Sequence, residues 1–349
     1  MTRYRIILAV LLLALIALPF VIPAYYVTLV LPALAYGVIL LGFNLLFGYT
    51  GLMSFGHALY VALGAYSVAY MTGRFGLRSM EGAIGTAIVV SLVIGIPVGI
   101  LCVRYVKIFF GMLTLAFGML FHSFLFKFYS LTGGDSGMPI TRPRLLGMEF
   151  ADMDKTAYLV GPFYFYSLAI LLLLGFVMWR IVHSPFGLHL RAIRDNPRKA
   201  EYVGVRVYQY RLMAYVISAV YGAIGGALLS IPVGLADPEL AYWTHSGNLV
   251  FMTILGGFGN FFGPILGAFV FIGLQSELMS LTQYWRFALG LILIIIVIAL
   301  PQGLMGLLHK RVKPAEGVEG AETPAAVPPP QGLPRNDAVA QPLHTEGRP

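Results

Sequence analysis

The residues of this sequence whose types and spacing could do chemistry stand in four short stretches: Asn44, Ser54 and His57; Gly134, Asp135 and Ser136; Phe186, Arg191, Arg194, Asn196, Ala200, Glu201 and Gly204; and Gly256, Gly257 and Gly259. Catalysis needs a nucleophile beside a base, a metal cluster or a carboxylate pair. His57 and His122 lie in apolar blocks without an acidic companion in the same block, so no catalytic residue and no metal site is read. A proton- or sodium-driven carrier buries a charged side chain at mid-membrane as its coupling device, and the apolar blocks hold none. A Gly-x-x-x-x-Gly-Lys-Ser/Thr loop for nucleotide phosphates is also missing. What remains is hydrogen bonding. Asn44, Ser54 and His57 are polar groups in an apolar setting that can face a pore or bond within helix packing. The glycines of Thr132-Gly-Gly-Asp-Ser-Gly137 can cradle a ligand or make ordinary turns.

The elements that must carry these residues are set by composition. Of 349 residues 58% are hydrophobic and 11% charged, against roughly a quarter charged in a soluble domain. Apolar runs cover 6–22, 24–47, 49–72, 82–103, 108–126, 156–179, 212–236, 247–276 and 287–308, all free of Lys, Arg, Asp and Glu. Runs of about 20 residues match a hydrocarbon core of about 30 Å at 1.5 Å per helical residue. The fold class is therefore all-α, a polytopic membrane bundle. The net charge of +8 sits in short loops between blocks, where it orients a membrane protein and does not indicate nucleic acid. The lone Cys102 reads as packing. Arg3 and Arg5 precede the first run, and Pro23, Tyr25 and Tyr26 stand where a signal peptide would need a small-residue cleavage site. The first run is expected to stay as a span.

With the N-terminus inside, Arg104, Lys107 and the basic stretch 180–211 are cytoplasmic, and Arg74 with Arg78 is a small exception. Nine crossings would put Lys310, Arg311 and Lys313 outside. The run 247–276 resolves the parity: it is long for one crossing, and Gly256-Gly-Phe-Gly-Asn260 with Gly263-Pro264 breaks its middle. A discontinuous or re-entrant pair is expected there, giving about ten membrane elements and a cytoplasmic C-terminus. Gly95 with Gly99, Gly222 with Gly226, and Gly259 and Gly263 with Gly267 have helix-packing spacing. Residues 1–311 form the membrane domain, with a periplasmic loop at 132–157, and the Pro- and Ala-rich 312–349 is expected to be a disordered cytoplasmic tail.

The cytoplasmic stretch 183–211 is patterned. Ser184-Pro185 and Asn196-Pro197 each signal a helix start, and Gly204 ends the second piece. Phe186, Leu190 and Ile193 at helical spacing beside Arg191 and Arg194 suit either a helix docking into a partner's groove or a basic helix on anionic lipid.

Taken in order, these pieces resemble the M-type permease of bacterial ABC importers for branched-chain amino acids. The matching segments are Asn44-Leu-Leu-Phe-Gly-Tyr-Thr-Gly-Leu-Met-Ser-Phe-Gly-His57, the loop 132–137, Ser184-Pro-Phe-Gly-Leu-His-Leu-Arg-Ala-Ile-Arg-Asp-Asn196 with Ala200, Glu201 and Gly204, Tyr242–Gly247, Leu255–Gly267 and Leu300–Leu308, spanning about 25–308. The resemblance implies a bacterial inner-membrane subunit that pairs with a homologous second permease, two cytoplasmic ATPase subunits and a periplasmic substrate-binding protein. ATP and Mg would be used by the ATPases, and this chain would bind no cofactor. Phe186, Arg191, Arg194, Asn196, Ala200, Glu201 and Gly204 would serve ATPase coupling. Many ABC importers carry Glu-Ala-Ala and a glycine in this loop; Arg198-Lys199-Ala200 and Gly204 keep only the last alanine and the glycine. The binding protein would dock near 73–81, 132–157 and 237–246. Urea, short amides or other small carboxylates are alternative cargoes, and a stand-alone channel or carrier is a rival of a different class.

Overall fold

The computed structural model describes residues 13–150, 153–300 and 303–309, all within one compact unit, Met1–Lys310. Residues 1–12, which hold Arg3 and Arg5, and the tail expected at 312–349 lie outside the described residues. The architecture is all-α. Helix α1 covers 13–21; α2 is Ala24–Asn44, extended by a π-turn Leu45–Tyr49; α3 is Ala58–Ala69, extended likewise through Tyr70–Arg74. Then follow α4, Met80–Cys102; α5, Ile108–Lys127; α6, Tyr164–Val182; two short helices α7, Pro185–Asp195, and α8, Pro197–Tyr202; and α9, Val207–Val233. Helices α10, Trp243–Gly256, α11, Gly263–Leu281, α12, Trp285–Ala299, and α13, Leu304–His309, complete it.

Seven segments among the described residues are long and apolar enough to cross a membrane: those of α2, α4, α5, α6, α9, α11 and α12. The loops and helix ends that join the described segments gather at two opposite faces. One face gathers the loops: Tyr70 Oη donates to Leu131 O, Met80 N to Arg144 O at 3.0 Å, and the strand pair β1 (Met138–Pro139) with β2 (Leu235–Ala236) ties the 132–157 loop to the end of α9. The other gathers α7, the C-terminal end of α2, the start of α9, where Tyr208 Oη donates to Ile100 O at 3.2 Å, and Gly303 against Gly257. The expected break in 247–276 is present, since α10 stops at Gly256 and α11 restarts at Gly263.

One expectation is corrected. The run 49–72 was read as a single span, but residues 51–57 are not helical, and α3 starts only at Ala58. A second broken segment therefore lies early in the chain. Non-helical backbone at membrane depth needs partners for its polar groups, and distant elements supply them. Phe55 N donates to Thr114 Oγ1 of α5 at 3.3 Å and Ala58 N to Ser246 Oγ of α10 at 2.9 Å. Gly51 N and Leu52 N bond back to Phe47 O and Leu46 O.

The interior is built on α2 and α9, whose most apolar windows are 83% and 72% buried, against 19–28% for α4, α5, α6, α11 and α12. The outer helices therefore turn apolar surface outward, where lipid or a partner subunit can take it. Arginines on the loop face are held in place: Arg142 lies 5.2 Å over the Tyr158 ring and Arg144 pairs with Glu149.

The two faces give a topology test. On a Cys102→Ser background, Leu146→Cys on the loop face (70% exposed) and Leu188→Cys on α7 (66% exposed) are expected to react with a membrane-impermeant maleimide from opposite sides. Labelling of both from one side would break the assignment of these two faces to opposite sides of the membrane.

Candidate functional site

The amphipathic α7 is positioned by Pro185 at its first turn and by its apolar side. Leu190 and Ile193 are fully buried, Ile193 in a small core with Ala200 and Val207. Phe186 stacks on Tyr210 of α9 at 5.5 Å between ring centroids. The Phe186–Leu190–Ile193 stripe, read as a candidate for a partner's groove, instead docks α7 onto its own subunit, because α9 offers Val207 and Tyr210 at that place. Ser184 does not cap forward; its hydroxyl donates to Ile181 O at 2.6 Å. Asn196 does cap α8, accepting from Lys199 N at 3.0 Å, and Gly204 ends that piece at φ 88°. Ala200 is buried and Glu201 exposed. The apolar side chains left outward are Leu188, Tyr202 and Val203, at 66%, 87% and 79% exposure. Sequence reasoning passed over these three, since single apolar residues on a polar side break no periodicity.

Above α7 the two helix breaks meet. Arg194 donates to Gly48 O and lies 5.4 Å over the Phe258 ring, and Arg191 lies 5.1 Å over Tyr49. Asn44 Nδ2 donates to Asn260 O at 3.2 Å, while Phe47 and Phe258 are 5.1 Å apart. Gly256 and Gly257 are buried in this junction, and Gly259 is exposed with open space around it. Gly263 and Gly267 do make the close helix contact their spacing suggested, but Gly259 does not.

Deeper in the bundle, His57 Nε2 is 3.0 Å from Ser218 Oγ and 3.1 Å from Ser218 O, with Tyr60 Oη donating to Tyr215 Oη at 2.8 Å. The structure places Asn44, Ser54 and His57 inside the subunit, walled by α5, α9 and α10, rather than on an open wall. Asn44 Oδ1, Ser54 Oγ and His57 Nδ1 nevertheless have no hydrogen-bond partner. Ser218 and Ser246 were not singled out from the sequence, although an isolated serine in an apolar block is a usable signal. Gly134 is buried, whereas Asp135 and Ser136 are exposed in a 3-10 turn on the loop face, far from the α7 junction. Among the described residues there is no group of three or more metal-ligating side chains.

Comparison with known proteins fits this arrangement. Residues 25–300 match the family model described as branched-chain amino acid transport system / permease component. The high-affinity branched-chain amino acid transport system permease protein LivM of Salmonella typhimurium is 25% identical over 336 residues, 90% of this chain and 78% of the relative. LivH of Escherichia coli K12 is 22% identical, over 78% of this chain and 91% of its own length. The guanosine ABC transporter permease protein NupQ of Bacillus subtilis is 30% identical over a shorter stretch, 33% of this chain and 35% of the relative. No solved structure matches. A helical bundle with two broken segments, a docked surface helix and a family match from 25 to 300 together place this multi-pass membrane protein in the family of permease components of branched-chain amino acid transport systems.

Proposed function

We propose that this chain forms half of the translocation pore of an ATP-driven importer for branched-chain amino acids in the bacterial inner membrane. It works with a homologous second permease, two cytoplasmic ATPases that use ATP and Mg, and a periplasmic binding protein. The observation that carries the reading is segment α7–α8: it is anchored by its apolar side directly beneath both helix breaks and keeps Leu188, Glu201, Tyr202 and Val203 free. A surface element clamped to two helix breaks of a bundle and bearing exposed apolar side chains suits a partner that pushes on it. The α7 face is then cytoplasmic, and the loop face with 73–81, 132–157 and 237–246 receives the binding protein. LivM and LivH among the relatives support pairing with a second permease. The ATP reading also agrees with the lack of a phosphate loop and of charge within the apolar blocks. Gly134, Asp135, Ser136, Gly256, Gly257 and Gly259 are the proposed solute path, and Asn44, Ser54 and His57, buried within the subunit, would join it only when the helix breaks open. The stretch shared with a guanosine permease favours, as the second reading, the same architecture with another small polar cargo.

Purification with the ATPases and reconstitution tests this. ATP turnover is expected to rise severalfold when a binding protein loaded with leucine, isoleucine or valine is supplied. Stimulation only by another loaded solute would move the cargo, and the absence of any associated ATPase would sink the importer reading.

A further inference from the structure

We propose that Arg194 is the mechanical link between the coupling segment and a gate made of the two helix breaks. This rests on the ATP-driven reading above. One side chain touches three parts that are otherwise separate. It belongs to α7; its guanidinium donates to Gly48 O at the end of the π-turn that closes α2; and it lies over Phe258 in the turn between α10 and α11. Its Cγ would also lie 3.2 Å from a Cβ added at Gly51, where the first break opens. The carbonyls at a helix end are unpaired and carry the negative end of the helix dipole, so a cation there closes the helix and ties it to whatever bears the cation.

The contacts Arg194 lacks matter equally. Among the described residues the ion pair recorded is Arg144–Glu149, on the opposite face. An arginine paired with a carboxylate of its own helix would stiffen that helix alone. Arg194 spends its fork and its flat face on a carbonyl and an aromatic ring of two other elements, a combination that a lysine cannot reproduce. Arg191, one turn earlier, adds a parallel contact to Tyr49 only.

The breaks are joined to each other as well. Asn44 donates to Asn260, Phe47 meets Phe258, and Gly303 packs on Gly257. The turn that bears Phe258 has room to rearrange at Gly259, which has open space around it, while Gly257, buried at φ 102°, anchors the turn to the junction. A displacement of α7 therefore reaches both breaks together through Arg194, and both could open or close as one unit.

The test uses the full transporter, purified with its ATPases and reconstituted, carrying Arg194→Lys, Arg194→Gln, Phe258→Leu, or Arg194→Lys with Phe258→Leu. Gly259→Cys on a Cys102→Ser background reports the gate by maleimide labelling with and without ATP and vanadate. Each variant is expected to keep wild-type ATPase association while uptake per ATP hydrolysed falls about tenfold. Labelling at Gly259→Cys should lose its nucleotide dependence, and the double variant should be no worse than Arg194→Lys alone. Uptake per ATP within twofold of wild type, or labelling that still follows nucleotide, would overturn the link. Loss of ATPase association in Arg194→Lys would also overturn it, by making Arg194 a docking residue. If the wild-type protein itself binds no ATPase, the importer reading fails first and the link with it.

Discussion

Gly256→Ala is expected to destabilise the protein strongly, whereas Gly259→Ala, three residues further in the same Gly-Gly-Phe-Gly sequence, is expected to be nearly silent. A Cβ at Gly256 would overlap the carbonyl oxygen of Gly263 and stand 3.0 Å from Gly267 N, both main-chain atoms of α11. No side-chain rotation can clear them. The helices would have to separate where Gly256, Gly263 and Gly267 bring α10 and α11 together. Overpacking of this kind costs about 1–3 kcal/mol, and more when backbone must move. Glycine to alanine in a helix would by itself stabilise by roughly 0.5–1 kcal/mol, so packing decides the sign. At Gly259 nothing lies within 4 Å of the same added atom. Thermal midpoints in detergent by fluorescence-detected size exclusion check the pair. Equal midpoints for the two variants would mean that α10 and α11 can separate at Gly256 without cost.

Val203→Glu and Leu188→Glu are expected to strip the ATPases from the complex without loss of folded permease. These side chains touch little of their own subunit, and on the proposed reading they are apolar contacts at the ATPase interface. Central apolar contacts at interfaces cost about 2 kcal/mol or more when lost, which is roughly thirtyfold in affinity. Phe186→Ala should behave in the opposite way. It removes a ring stacked on Tyr210, so permease yield falls and the surviving protein still binds the ATPase. Co-purification ratios and folded yield separate the outcomes. Wild-type association in both glutamate variants would exclude this surface, and a loss of binding to anionic vesicles instead would favour the lipid-lying helix.

How much of this was legible in the sequence differs by element. The charge-free runs gave the α2, α4, α5, α6 and α9 segments to within a few residues, because lipid penalises charge at every position of a span, so the signal is local. The break at 257–262 was legible too, through glycine and proline and through parity of the basic loops. The break at 51–57 was hidden. Leu52, Met53 and Phe55 keep that stretch apolar, and its backbone is satisfied by Thr114 and followed by Ala58 bonded to Ser246, residues far along the chain. Such partners leave no mark in a local window.

The same division runs through the candidate site. Sequence by itself determined that the chain is a bundle of membrane helices, that its polar residues cluster in four places, and that 184–204 forms two short helices, since capping, proline placement and hydropathy act between near neighbours. Only the tertiary structure decided which way those residues face. Periodicity showed that α7 has an apolar stripe but could not say whether a partner or the chain itself would cover it; Val207 and Tyr210 cover it. Likewise Arg194 was legible as a basic residue of the coupling stretch. That its side chain, still exposed, reaches Gly48 and Phe258 follows from the meeting of two breaks about two hundred residues apart in sequence, which only whole-chain packing brings together.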